Sequence, residues 1–113
     1  MVRIKLTPEM TELFKKLHNY YGTDHQCMVA CEECGELIQA ISKMRRSSGS
    51  RIAREHLLDE TADVYIMLAQ IMYLFGISED ELSFYIEAKL NRQKERMRKL
   101  EEGNNDPQLS LGL

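Results

Sequence analysis

The sequence is poor in the residues that mark several protein classes. It has no tryptophan and two prolines, and its three cysteines, Cys27, Cys31 and Cys34, lie within eight residues. An odd number of thiols so close together cannot form the disulfide framework of a small secreted protein. The pattern is typical of a protein kept in a reducing compartment.

The sequence also lacks a basic excess and a long apolar run. Its formal net charge of -3 gives no general attraction to nucleic acid. The apolar segment Val64–Ile77 is shorter than the roughly 20 residues needed to span a bilayer. Met1–Leu6 is too short, and too interrupted by Arg3 and Lys5, for a signal peptide. We therefore expect a cytoplasmic protein with no direct membrane or nucleic-acid partner.

The remaining composition is that of one folded domain. Apolar residues make up 43% and charged residues 29% of 113 positions. Apolar residues recur at helical intervals, and no alternating strand pattern is present, so the sequence predicts an all-α fold. Four helices are expected, at Pro8 to Gly22, Thr23 to Met44, Arg51 to Phe75, and Ser78 to near Gly103.

Four local signals place the ends of these helices. They are Thr7 as an N-cap before Pro8, a capping box at Thr23 and Gln26, Gly76 after the third helix, and a second capping box at Ser78 and Glu81.

The third helix is apolar on nearly every side, which favours a second copy of the chain as partner. The alternative is that this helix is central within one monomer. In a bundle of short helices, three neighbours are not expected to cover all of Tyr65, Ile66, Met67, Ile71, Met72 and Phe75. We expect a homo-oligomer, either a dimer or a tetramer.

Cys31 and Cys34 form a C-x-x-C pattern, which could serve thiol redox or zinc chemistry. A thioredoxin-like site needs a preceding strand, and a zinc site needs further ligands at suitable spacing. Neither context is present in this sequence, so we expect the cysteines to continue a packed apolar face with Ile38 and Ile41. The thiols are then expected to be buried.

The second and third helices each carry a cluster of acids. Residues three apart share a helix face, so Glu33 with Glu36, and Glu60 with Asp63, form two pairs that can face each other. Such acids would repel unless a cation joined them, and oxygen ligands favour Mg²⁺ or Mn²⁺. A di-iron site is disfavoured, because no Glu-x-x-His occurs and His56 is expected to point elsewhere. The alternative is a solvated acidic surface.

The acidic motifs of the second and third helices resemble the signature of a known protein family. Glu32-Glu33-Cys34-Gly35-Glu36, followed after 23 residues by Glu60-Thr61-Ala62-Asp63, resembles the EExxE…ExxD signature of the MazG-like all-α nucleoside triphosphate pyrophosphohydrolases. The similarity extends roughly from Thr7 to Leu100. It implies a four-helix bundle over residues 1–103 that cleaves nucleoside triphosphates, including deoxynucleotides, to monophosphate and pyrophosphate. Such an enzyme would serve nucleotide-pool housekeeping.

The resemblance also implies roles for individual residues. Glu33, Glu36, Glu60 and Asp63 would bind Mg²⁺, and Glu32 or Glu33 would orient the attacking water as the catalytic residue. The family's phosphate contacts, at K-x-x-x-N-x-x-R spacing, correspond to Lys89, Gln93 and Arg96, with Gln in place of Asn. The alternative for these residues is a basic, solvated helix end. Gln26 falls where relatives contact substrate. The preferred base and sugar are not predicted.

The last ten residues, 104–113, are expected to form a flexible tail after the helical domain. Their end resembles the peptides with which bacterial proteins bind the replicative sliding clamp. The matching positions are Gln108, Leu109, Leu111 and Leu113. A tail packed on its own oligomer is the alternative. If the helical body were a catalytically silent scaffold, this peptide would carry the function.

Overall fold

The computed structural model describes residues 5–103 and is all-helical over that range. The helices are α1 (Pro8–Tyr21), α2 (Thr23–Arg46), α3 (Arg51–Phe75) and α4 (Glu79–Glu101). The prediction of an all-α chain with four helices is confirmed. The tail peptide at 104–113 lies outside the described residues.

Three of the predicted helix ends are confirmed by their hydrogen bonds. The Thr7 side chain accepts from the backbone N–H of Met10, with Pro8 in the first turn. Gly76 ends α3 in the left-handed conformation, with φ of 63°, which a residue without Cβ adopts at little cost. Ser78 and Glu81 form the reciprocal capping box. The backbone N–H of Ser78 donates to Oε2 of Glu81 at 2.9 Å, and the backbone N–H of Glu81 donates to the Ser78 hydroxyl oxygen at 3.0 Å.

The predicted capping box at Thr23 and Gln26 is wrong. The N-cap of α2 is Gly22, with φ of 87° and no side-chain cap. Thr23 instead lies inside the helix, and its hydroxyl is 3.2 Å from Nδ1 of His18 on α1. Because Gly22 also ends α1, the junction leaves no separate residue to serve as a side-chain cap.

Residues 5–77 form one compact unit in which α1, α2 and α3 pack together. A four-residue turn joins α2 to α3, so the two helices run antiparallel and pack along their lengths. Alanines on both helices allow close approach, while α1 contributes Phe14. The buried apolar residues are Phe14, Ala30, Ala40, Met67, Ala69 and Met72. Residues 78–103, including α4, belong to a second unit.

The expected burial of the cysteine face is wrong. Cys31 and Cys34 are exposed, Cys27 is half-buried, and Ile38 is 69% exposed. The buried residues of α2 are Gln26, Ala30 and Ala40. Their stripe lies one residue, or about 100° around the helix, from the cysteine stripe. The alanine face of α2 therefore packs against α3, and the thiols of Cys31 and Cys34 are exposed to solvent.

The apolar residues of α3 divide between the core and the surface. Met67 and Met72 are buried and Ile71 is half-buried, whereas Tyr65, Ile66 and Phe75 are roughly half exposed. These exposed side chains leave an apolar surface on α3 in the single chain. Over the described residues, no helix combines the length and apolar character needed to cross a bilayer.

Candidate metal centre

Two turns of α2 and two turns of α3 supply the predicted acids. Glu33 and Glu36 lie one turn apart on α2, and Glu60 and Asp63 lie one turn apart on α3. In an antiparallel pair, the turn that carries Glu33 lies opposite Asp63, and the turn that carries Glu36 lies opposite Glu60. All four positions belong to the unit formed by residues 5–77.

The structure brings these acids together in two overlapping groups. Glu33, Glu36 and Glu60 offer one carboxylate oxygen each, all within 4.8 Å of one another. Asp59, Glu60 and Asp63 form the second group within the same limit. Glu60 belongs to both groups and therefore links the two helices into one acidic cluster, which we call the carboxylate site.

The electrostatics of the carboxylate site disfavour full ionisation in the absence of a cation. Burial is the main reason that the pKa of Glu33 rises above its usual value of 4.5, and repulsion by Glu36, Asp63 and Glu60 adds to the increase. A hydrogen bond with the carboxyl group of Asp63 acts in the same direction. Protonation of Glu33 relieves part of the repulsion.

Glu60 is the most buried of the four acids, with 7% of its surface exposed. Burial is again the main reason that its pKa is raised, followed by the hydrogen bond and repulsion from Glu36 and by repulsion from Asp63. His56 acts in the opposite direction and lowers the pKa. Its Nε2 lies 3.4 Å from Oε1 of Glu60, so the expectation that His56 points elsewhere is wrong. The four-residue spacing on α3 brings the two side chains together.

Two buried oxygens of the carboxylate site have no hydrogen-bond partner. They are Oε2 of Glu33 and Oε2 of Glu60, on opposite helices. A buried carboxylate oxygen without a partner is costly unless a cation or proton satisfies it. The donor set is all carboxylate, which fits Mg²⁺ or Mn²⁺. Neither group includes a cysteine or histidine ligand, so the donors do not fit zinc.

Asp59 was missed as a potential ligand by the sequence analysis. Its neighbour Glu60 was selected, and Asp59 lies four residues before Asp63 on α3, which places the two acids on one face. The four-residue spacing between Asp59 and Asp63 could have identified Asp59 as a potential ligand from the sequence. Asp59 is exposed, so it adds an accessible carboxylate at the edge of the carboxylate site.

Glu32 and Gln26 occupy different positions around these acids. Glu32 is exposed on α2 and belongs to neither carboxylate group. Gln26 is buried, and its Oε1 lies 2.9 Å from Nδ1 of His25, whose ring stacks on Tyr21. Gln26 precedes Glu33 by two helical turns, or about 10 Å, on the same face of α2.

The predicted phosphate contacts lie on α4. Lys89 is exposed, whereas Gln93 and Arg96 are half-buried. A shallow depression of about 480 Å³ on this helix includes Gln93 but neither Lys89 nor Arg96. The structure thus places all three on one helix without gathering them in that depression.

Comparison with known proteins identifies no relative: no family model matches this chain, and neither curated proteins nor solved structures show significant similarity to it.

Proposed function

We propose that the protein is a Mg²⁺-dependent nucleoside triphosphate pyrophosphohydrolase of the MazG-like type, which cleaves substrates to nucleoside monophosphate and pyrophosphate. The observation that supports this proposal is the convergence of Glu33, Glu36, Glu60 and Asp63 from two helices, with unpartnered carboxylate oxygens in their midst. Carboxylates alone would repel a triphosphate, so a cation is an essential part of the proposal.

Each residue of the carboxylate site has a stated task in this proposal. Glu33, Glu36, Glu60 and Asp63 hold the cation, with Asp59 available at the edge. Mg²⁺ bound there supplies positive charge that offsets the triphosphate and the charge developing on the leaving group. Glu32, which is exposed and precedes Glu33 in the chain, is proposed to orient a water molecule and accept its proton, and Glu33 is the alternative for that role.

The reaction needs no nucleophilic side chain. The water oxygen forms a bond to the α-phosphorus, and the bond from that phosphorus to the oxygen bridging the α- and β-phosphates breaks. Pyrophosphate leaves with the bridging oxygen, and the proton of the water passes to a glutamate. Positioning and electrostatic stabilisation supply the catalysis.

The proposal includes substrate contacts and an assembly. Gln26, Lys89, Gln93 and Arg96 are proposed to contact the nucleotide, in a four-helix bundle completed within a homo-oligomer. The exposed apolar residues of α3, including Ile66 and Phe75, support the second chain as partner, because water contact with such a surface is unfavourable.

The decisive experiment is a nucleotide panel assayed for pyrophosphate release. Activity with at least one triphosphate in Mg²⁺ or Mn²⁺, and none in excess EDTA, is the expected result. Undiminished release of pyrophosphate in EDTA would reject the proposal. Phosphate as the first product would also reject it, because cleavage would then fall on the terminal phosphate.

A second candidate function is supported only by the tail sequence. The segment Gln108-Leu109-Ser110-Leu111-Gly112-Leu113 places three leucines at alternate positions after a polar segment. We propose that it binds a bacterial sliding clamp, either to tether the enzyme or, if the body is silent, as the main function. Titration of a clamp with the intact chain and with a chain truncated after Asp106 tests this. Equal binding by both chains, or none by either, would exclude it.

A further inference from the structure

The α2–α3 junction, by which we mean positions 43–55 at the end of α2, the turn and the start of α3, is the most basic part of the unit formed by residues 5–77. Positions 43–55 contain five Lys or Arg residues and one Glu. The Glu, Glu55, is paired with Arg51 at 3.0 Å. Within residues 5–103, Lys43 and Arg46 form no ion pair. In a chain of net charge -3, this concentration of uncompensated positive charge indicates an anionic ligand.

Lys43 and Arg46 border an open depression of about 440 Å³, which is within the size range of small-ligand sites. The guanidinium of Arg46 donates to the Ser42 hydroxyl at 2.9 Å, which restricts its orientation. The Ser50 hydroxyl accepts from the Ala53 N–H and keeps its own proton available for donation. The residues lining the depression are Lys43, Arg46, Ser47, Ser50, Ile52, Ala53 and His56.

The depression and the carboxylate site share His56 as a neighbour. His56 lines the depression, and Nε2 of the same ring lies 3.4 Å from Oε1 of Glu60. Lys43 follows Glu36 by two turns of α2, or about 10 Å, and its long side chain can cover part of that distance. A phosphate chain with its first phosphorus at the carboxylate site can therefore extend along α2 toward Lys43 and Arg46.

We propose that this depression binds the β- and γ-phosphates of the substrate, and hence the departing pyrophosphate, through Lys43 and Arg46. The inference rests on the proposed function for its orientation of the nucleotide. In this arrangement the β- and γ-phosphates, which leave as pyrophosphate, lie at the α2–α3 junction, and the α-phosphate lies at the carboxylate site. The positively charged side chains of Lys43 and Arg46 offset the negative charge that develops on the departing pyrophosphate as the bond breaks.

The test measures binding of inorganic pyrophosphate by calorimetry, with Mg²⁺ and separately in EDTA, so that no turnover is needed. The variant is the double substitution Lys43→Gln and Arg46→Gln. The matched control is Arg45→Gln, which removes a positive charge from the same junction but does not line the depression. Circular dichroism on all variants checks that the helices remain formed.

We expect the double variant to weaken pyrophosphate binding by about tenfold or more, and Arg45→Gln by less than about twofold. Nucleoside monophosphate binding should change little, because that product carries only the α-phosphate. For an active triphosphate, KM should rise in the double variant alone.

Three outcomes would overturn the inference. An equal loss of pyrophosphate affinity in the double variant and in Arg45→Gln would indicate that pyrophosphate is attracted only by the general positive charge. Unchanged pyrophosphate binding in the double variant would place the phosphates elsewhere. Tight, salt-sensitive binding of an oligonucleotide, lost in both the double variant and Arg45→Gln, would make the α2–α3 junction a nucleic-acid surface. If pyrophosphate binds through Lys43 and Arg46 but no triphosphate is hydrolysed, the proposed function fails and the anion site remains.

Discussion

A carboxylate oxygen of Glu36 on α2 and one of Glu60 on α3 lie within 4.8 Å of each other across the helix interface. Two carboxylates this close repel each other unless one carries a proton or a cation lies between them. The packing of α2 on α3 therefore builds an acidic cluster that is destabilising by itself and stabilised by a bound cation.

Metal-free protein should lose stability as pH rises. The pKa values of Glu33 and Glu60 are raised above 4.5 in the folded chain, so the folded state holds protons that the unfolded state has released. The free energy of unfolding is then greatest near or below pH 4.5, as far as these two groups determine it, and falls as pH rises through the folded pKa values. Thermal unfolding in EDTA from pH 5 to 8 measures this. With Mg²⁺ the decline should be smaller, and identical curves with and without Mg²⁺ would contradict a cation site.

Glu60→Gln should separate stability from activity. The amide keeps the shape and removes a buried, repelled carboxylate, so the metal-free variant should unfold at a higher temperature than the parent. It should also lose the Mg²⁺-induced increase in melting temperature and nearly all hydrolysis. The comparison is Glu55→Gln, an exposed position paired with Arg51, which should behave like the parent in both measurements. Retention of full activity by Glu60→Gln would remove Glu60 from the site.

Replacing Glu36 or Asp63 by Ala should reduce triphosphate hydrolysis by about 100-fold or more, because each change removes a proposed ligand. Helix content by circular dichroism should stay at the parental level, since neither side chain fills the apolar core. Glu12→Gln, an exposed acid on α1, is the control for loss of negative charge. Parental turnover in both alanine variants would show that hydrolysis occurs elsewhere.

Cys31 and Cys34 should react rapidly with an alkylating reagent in the folded protein, because both thiols are exposed on α2. Cys27 is half-buried and should react more slowly. Mass spectrometry of time points, compared with denatured protein, gives the three rates. Protection of Cys31 in the folded protein would show that another surface covers this face of α2.

The exposed apolar residues of α3 predict self-association. Light scattering at micromolar concentration should give at least twice the monomer mass. Leu68→Arg, at a position 46% exposed in the single chain, should shift the protein toward monomer by introducing a charge into the interface. Arg54→Gln on the same helix serves as a control that leaves the apolar surface unchanged. A monomer mass for the parent chain would reject the homo-oligomer.

The number, order and approximate ends of the helices followed from the sequence. Apolar periodicity and the absence of strand alternation determine the secondary structure, and caps such as Thr7, Gly76 and Ser78 act within a few residues. The pairing of acids was also local information, since Glu33 with Glu36 and Glu60 with Asp63 share a face in any helix. Their convergence needed one further assumption, that a short turn makes α2 and α3 antiparallel neighbours.

Tertiary structure decided which of two neighbouring stripes of α2 was buried. Cys31 and Ile38 are more apolar than the stripe that carries Ala30 and Ala40, yet the alanine stripe packs on α3 because small side chains permit close helix approach. The contact of His56 with Glu60 and the site's burial depend on the same packing. Sequence spacing specifies which side chains share a helix face, whereas only packing between helices specifies which face loses its water, and that loss raises the pKa values of Glu33 and Glu60.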